Sequence, residues 1–309
     1  MDTTMTPAIS FSSVRKTFGD VVALNGLDFA APRGSVTVLL GPNGAGKTTT
    51  VRLTTGAMKP DFGAISVLGL DPQTDGDEVR ARVGVVPPKP AFYDQLSGWE
   101  NLKFAATIFE ADEAQARDAA ARFAIDDALD QDVGGYSTGM RTRLALARAV
   151  LHDPEVLMLD EPTAGLDPES SRAVLGLISD IAGRGRTIVM CTHLLHEAEG
   201  IADQVILMEE GEVRASGHPE DLANRYMADP IVIIDAEDRA SLKCISELDG
   251  VLAVRDDGAL HVTLDTADRI PDLVVELVKR GVRPMRVEPI RPTLEDLYFE
   301  MQRAHRETG

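Results

Sequence analysis

Several things are scarce in this chain of 309 residues. Only two residues are cysteine, Cys191 and Cys244. Two thiols make neither a disulfide framework nor a zinc-ligand cluster, and such usage fits a reducing cytosol. No apolar run approaches the ~18–20 residues that cross a bilayer, so any membrane role must pass through a partner. Met1 to Ser10 lacks a basic start and an apolar stretch, so it is not read as a secretory signal. No internal repeat or low-complexity stretch is evident. Positive charge is also short: 31 Lys and Arg stand against 50 Asp and Glu, for a net charge of -19. Surfaces that bind DNA or RNA need clustered Lys and Arg to neutralise phosphates, so no nucleic-acid partner is expected. Acidic residues outnumber basic ones 31 to 19 in residues 1–217 and 19 to 12 in residues 218–309. A surplus spread this evenly is no tail or patch; it bears on solubility. A few backbone amides and one Lys could still hold a small phosphate within it.

What is present is ordinary globular composition, 44% apolar and 26% charged, at a length that suggests two domains. Ile9–Phe11, Leu24–Phe29 and Val36–Leu40 read as strands, followed by a Gly-rich loop and a helix from Lys47. From Ser97 to Leu151 the pattern is helical. Ser97 and Glu100 form a capping-box signature, and Asp112 to Phe123 reads as a helix with a solvated face. Apolar and periodic segments then alternate: Val156–Leu159, Glu169–Ile181, Thr187–Cys191, Leu194–Ile201 and Val205–Met208. That alternation implies parallel strands with crossover helices, closed by a hairpin at Gly211. Residues 218–229 read as a linker between a cassette at 1–217, its helical subdomain at about 90–151, and a small domain at 230–309. In the small domain the order is strand Ile231–Asp235, helix Arg239–Leu248, strands Val251–Arg255 and Leu260–Leu264, helix Ile270–Arg280 and strand Met285–Pro289. A last helix is expected over Leu294–Arg303. This βαββαβ core predicts a split-βαβ, ferredoxin-like α+β domain beside an α/β P-loop domain.

Two motifs carry chemistry. Gly41-Pro42-Asn43-Gly44-Ala45-Gly46-Lys47-Thr48 matches G-x-x-x-x-G-K-[ST] between a strand and a helix. Its glycines let amides point at phosphate oxygens, Lys47 reaches the β- and γ-phosphates, and Thr48 ligates Mg²⁺. Thr49 completes the expected nucleotide-binding set. Val156-Leu157-Met158-Leu159 is an apolar strand that ends in Asp160 and Glu161. Asp160 at the carboxyl end of a strand would hold Mg²⁺, and Glu161 is placed to act as general base toward water.

Between these motifs lies Tyr136-Ser137-Thr138-Gly139-Met140; after them come Glu161-Pro162-Thr163 and Gly165-Leu166-Asp167-Pro168. Over residues 9 to 217 this motif order resembles the signature, Walker B and D-loop of ABC transporter ATPases. The resemblance implies a head-to-tail dimer in which Ser137, Thr138, Gly139 and Met140 of one chain face ATP held by the other. It implies an adenine-stacking role for Phe18, a γ-phosphate-sensing role for His193, and a role for Asp167 in coupling the two sites. Three positions in two motifs depart from the pattern. Pro88 stands where the family has Gln, and proline has no amide to ligate Mg²⁺ or position water. The signature carries Thr138 for Gly and Met140 for Gln. Arg291-Pro292-Thr293-Leu294-Glu295-Asp296-Leu297-Tyr298-Phe299 is similar to the tail of ATPases paired with ABC-2-type exporter permeases.

The resemblance thus implies an ATP-hydrolysing, Mg²⁺-dependent subunit with Lys47, Glu161 and His193 as catalytic groups. Its partners would be a separate permease and a second ATPase chain, identical or not, at the cytoplasmic face of the cell membrane. A nucleotide-gated module with little hydrolysis, and a non-transport ATPase, are the alternatives.

Overall fold

The computed structural model describes residues 6–226, 229–256, 258–290, 293–295 and 297–298. The chain divides into two compact units, Met1–Pro219 and Glu220–Gly309. The first runs, in order, β1 (Ile9–Phe18), β2 (Val21–Ala31), β3 (Val36–Leu40), α1 (Lys47–Thr54), β4 (Phe62–Val67), α2 (Gly76–Arg82) and β5 (Val83–Val86). Three helices follow, α3 (Gly98–Ile108), α4 (Glu113–Arg122) and α5 (Thr138–Ala149). Then come β6 (Val156–Asp160), α6 (Pro168–Ala182), β7 (Thr187–Thr192), α7 (Leu195–Ile201), β8 (Gln204–Glu209) and β9 (Glu212–Gly217).

A six-stranded sheet has the order β5-β6-β7-β3-β8-β9, parallel throughout except for β9. A three-stranded antiparallel sheet has the order β2-β1-β4. Leu24, Leu27, Leu39, Leu53, Met158, Val189 and Ile206 belong to one buried apolar cluster. Full burial of each such aliphatic side chain contributes roughly 1.5–3 kcal/mol. Every residue of β3, β6 and β7 is buried. A parallel strand covered on both faces needs apolar side chains on both, hence continuous runs rather than alternation. Ser97 and Glu100 close a capping box on α3, and Asp112 with Gln115 closes one on α4.

The structure extends the short strands expected near the N-terminus. β1 reaches Phe18 and pairs there with Val21, past a register shift between Phe11 and Val14 that breaks the alternation. β4, α2 and β5 have no counterpart in the sequence reading; α2 spans two turns, β5 is four residues long, and β4 opens on exposed Phe62, Gly63 and Ala64, which break any alternation.

α8 (Pro219–Tyr226) occupies most of the segment read as a linker, with Glu220 and Asp221 in its first turn. Acids there complement the helix dipole. The second unit continues with β10 (Ile231–Ala236), a 3-10 helix over Arg239–Glu247, β11 (Val251–Asp256), β12 (Leu260–Leu264), α9 (Ile270–Lys279) and β13 (Pro284–Ile290). Its antiparallel sheet has the order β11-β12-β10-β13, the split-βαβ order. The helix expected at 239–248 is thus a 3-10 helix. Its buried residues Leu242 and Ile245, with Leu248 just beyond, repeat every third position, the period that stacks on one face of a 3-10 helix. Of the expected helix over 294–303, only Leu294, Glu295, Leu297 and Tyr298 are described. Among the described residues no helix is long and apolar enough to cross a membrane.

Candidate active site

Three neighbouring strands, β6, β7 and β3, end on the same side of the sheet and bring the site together. The carboxyl ends of parallel strands are where open α/β sheets bind ligands.

β3 delivers Gly41–Thr48. Two glycines are required by the packing. A Cβ on Gly41 would sit 2.2 Å from the Met208 carbonyl oxygen, and one on Gly46 would sit 2.5 Å from Leu24 Cδ2. Gly46 also has φ 101 and starts α1 with no side-chain cap and no acid in the first turn. The helices α3, α4, α5 and α6 each have a side-chain cap. The first amides of α1 are therefore left for an anion, and the helix dipole favours one there. Lys47 is buried, its Nζ donating to the carbonyls of Gly41 (2.6 Å) and Pro42 (3.1 Å).

β6 delivers Asp160 and Glu161. Burial pushes the Asp160 carboxyl up, the Thr48 hydroxyl that hydrogen-bonds to it pulls it down, and Glu161 beside it pushes it up again. Its Oδ1 is buried without a hydrogen-bond partner. A hydroxyl and a carboxylate with an unused oxygen are hard donors that fit Mg²⁺, which takes few protein ligands and completes its shell with phosphate and water. Glu161 has φ 53, a left-handed conformation uncommon outside glycine, and its amide donates to the Cys191 carbonyl (2.9 Å). Its side chain bridges two groups: Oε1 lies 3.4 Å from Lys47 Nζ, and Oε2 lies 2.8 Å from His193 Nδ1. His193 follows β7 directly and is exposed.

The other expected residues stand in three places. Phe18 ends β1, is 46% exposed and has Lys16 Nζ 5.6 Å from its ring centroid. Ser137 caps α5, accepting from the Met140 amide (3.2 Å). Ser137 and Thr138 are exposed, Gly139 and Met140 half-buried. Asp167 caps α6, accepting from the amides of Glu169 and Ser170. The Ser170 side-chain and backbone hydrogen bonds hold its carboxyl below the usual range. Pro88 lines a cleft of about 460 Å³ together with Thr138, Arg141, Glu161 and Gly165. The structure thus unites Lys47, Thr48, Asp160, Glu161 and His193, with Thr138 and Pro88 on a cleft that reaches Glu161.

Two features escaped the sequence reading. Asp61 accepts from Lys16 Nζ, from the Thr17 amide and from the Thr17 hydroxyl, and so ties down the end of β1 that carries Phe18. Glu197 is buried and accepts from the Thr192 hydroxyl beside His193. An acid in the first turn of the segment after His193 was visible; what it faces was not.

A strand–loop–helix phosphate cradle with an acid pair and a histidine on adjacent strand ends defines a P-loop nucleotide-hydrolysing site. The family model for the ABC transporter matches residues 24–164. The daunorubicin resistance ATP-binding protein DrrA3 of Streptomyces coeruleorubidus is 34% identical, over 95% of this chain and 95% of its own length. The Nod factor export ATP-binding protein I of Burkholderia orbicola (strain AU 1054) is 38% identical, over 76% of this chain and 79% of its own length. A solved ATP-binding subunit of an ABC transporter superposes with TM-score 0.64 at 28% identity, covering 71% of this chain and 93% of that one. The chain belongs to the ATP-binding proteins of ABC transporters. It is an ATPase subunit whose work is coupled to a membrane permease on another chain.

Proposed function

We propose that this chain hydrolyses MgATP to drive an exporter permease of the ABC-2 type from the cytoplasmic face of the membrane. The observation that carries the hydrolytic reading is the Glu161 side chain, held between Lys47 and His193 at the mouth of the phosphate loop. The exporter reading draws on relatives named for drug resistance and Nod factor export, and on the tail around Arg291–Phe299.

Phosphates entering the loop meet the free amides of α1 and compete with Glu161 for the Lys47 ammonium. That competition frees a carboxylate oxygen to take a proton from water. His193, with Nδ1 turned to Glu161, leaves Nε2 for a phosphate oxygen. Thr48 and Asp160 would hold Mg²⁺, which neutralises charge on the phosphates when bound. Ser137 and Gly139 present a helix start to the γ-phosphate of a second chain. A Cβ on Gly139 would make only ordinary contacts at 3.8 Å or more, so nothing within this chain demands glycine there.

The permease contact in this reading is the outer rim, formed by Arg52, Arg80, Arg148 and His152, of a cleft of about 390 Å³ that Thr48 and Asp160 also line. Its basic rim suits a cytoplasmic permease helix that carries a carboxylate. ATP turnover of the purified chain, alone and with its co-purified membrane partner, tests the reading. Turnover that stays at background in both would support a nucleotide-gated module instead.

A further inference from the structure

We infer that Glu197 is a positioning residue for His193, acting through the Thr192 hydroxyl; this rests on the hydrolytic reading of Glu161 and His193. Thr192 ends β7 and is fully buried, and Glu197 is 1% exposed. The Thr192 hydroxyl donates to Glu197 Oε2 (2.9 Å) and accepts from the Leu194 amide (3.1 Å). The Thr192 carbonyl accepts from the Gly41 amide (3.3 Å), the first residue of the phosphate loop. Both neighbours of His193 in the chain are thereby pinned, one of them also to the loop that holds phosphate.

The local logic is that of a helix start with a part exchanged. Leu194 occupies the N-cap of α7 and has no side-chain oxygen to offer the helix amides. In a capping box the third helical residue, a Glu, would accept from the N-cap amide. Here that amide goes to the Thr192 hydroxyl, and Glu197, the third residue of α7, takes the proton of that hydroxyl. The box closes through Thr192, and His193 lies on the segment it encloses. An exposed Glu would cap a helix equally well. This one is buried, with Oε1 lacking any hydrogen-bond partner, which is a costly way to cap. The arrangement makes sense if it fixes the His193 backbone, and with it the 2.8 Å contact to Glu161.

The test measures ATP turnover and ATP binding of the full chain carrying Glu197→Ala, Glu197→Gln, Thr192→Val or Thr192→Ser. Glu197→Ala is made again in a His193→Ala background, where residual phosphate release is followed with labelled ATP. Glu197→Ala and Thr192→Val should lower kcat about tenfold or more, as small misplacements of a reacting group do, with KM for ATP within about twofold. Glu197→Gln keeps an acceptor and Thr192→Ser keeps the hydroxyl, so both should retain turnover. With His193→Ala already in place, Glu197→Ala should remove nothing further. An equal proportional loss in both backgrounds would make Glu197 a general structural residue and overturn the inference. Folded Glu197→Ala and Thr192→Val proteins with unchanged kcat would overturn it as well, while leaving the reading of His193 intact. If Glu197→Ala does not fold, Thr192→Val against Thr192→Ser decides alone. Full turnover in His193→Ala itself would remove the reading of His193, and this inference with it.

Discussion

Glu161 and His193, 32 positions apart in the chain, meet at 2.8 Å between Oε2 and Nδ1 because β6 and β7 are parallel neighbours. Each follows the last paired residues of its strand, so the sheet sets their spacing and a loop does not. The strained backbone of Glu161 belongs to the same device: the turn away from β6 gives one carboxylate oxygen to His193 and the other to Lys47.

Glu161→Gln keeps the shape of this bridge and removes the base. ATP turnover should fall by about 10²–10⁴-fold, the range general-base removal spans, while ATP binding persists. Phosphate release and equilibrium nucleotide binding on the same preparation check it. Turnover within twofold of the parent would mean that Glu161 is not the base.

Gly41→Ala should abolish ATP binding. The new methyl would sit 2.2 Å from the Met208 backbone carbonyl, which cannot step aside as a flexible side chain would. The loop must move, and the amide pattern for phosphates moves with it. Titration with a fluorescent ATP analogue reads the loss directly; retained affinity would show that the loop accommodates a Cβ.

Pro88→Gln supplies a side-chain amide where proline has none. Pro88 shares a cleft with Glu161 and Thr138, so a Gln there has Glu161 and any water beside it within the same space. The variant should raise turnover, and more so with the permease present. Unchanged rates would mean that another group already positions the water.

How much of this was legible beforehand differs from element to element. β3, β6 and β7 announced themselves because strands buried on both faces read as near-continuous apolar runs. The phosphate loop was legible because two of its glycines are demanded by backbone contacts, Gly41 against the Met208 carbonyl and Gly46 against the Ala23 carbonyl. The 3-10 helix at Arg239–Glu247 was read as an α-helix, since a nine-residue stretch samples too few turns to tell a period of 3.0 from 3.6. What Asp61 and Glu197 face was not legible. Both work through hydroxyls and amides on other elements, and sequence gives neither the partner nor the direction of a side chain.

Asp61 shows what such a hidden partner does. Its carboxyl is lowered to about 2, first by the Lys16 hydrogen bond and then by the Thr17 hydroxyl and amide. A folded value below the ordinary 3.8 means that its hold on the end of β1 is complete above about pH 4 and is lost as pH falls toward about 2. Between pH 5 and pH 8 the group stays ionised. Phe18→Ala should raise KM for ATP about three- to tenfold without changing kcat, by removing a stacking face. Asp61→Ala should raise KM in the same direction, because the strand end carrying Phe18 loses its ties to Lys16 and Thr17. The ratio of wild-type to Asp61→Ala affinity should be flat from pH 8 to pH 5, measured with a fluorescent ATP analogue. A ratio that shrinks within that range would show that Asp61 titrates above its ordinary value and that the three hydrogen bonds do not hold it.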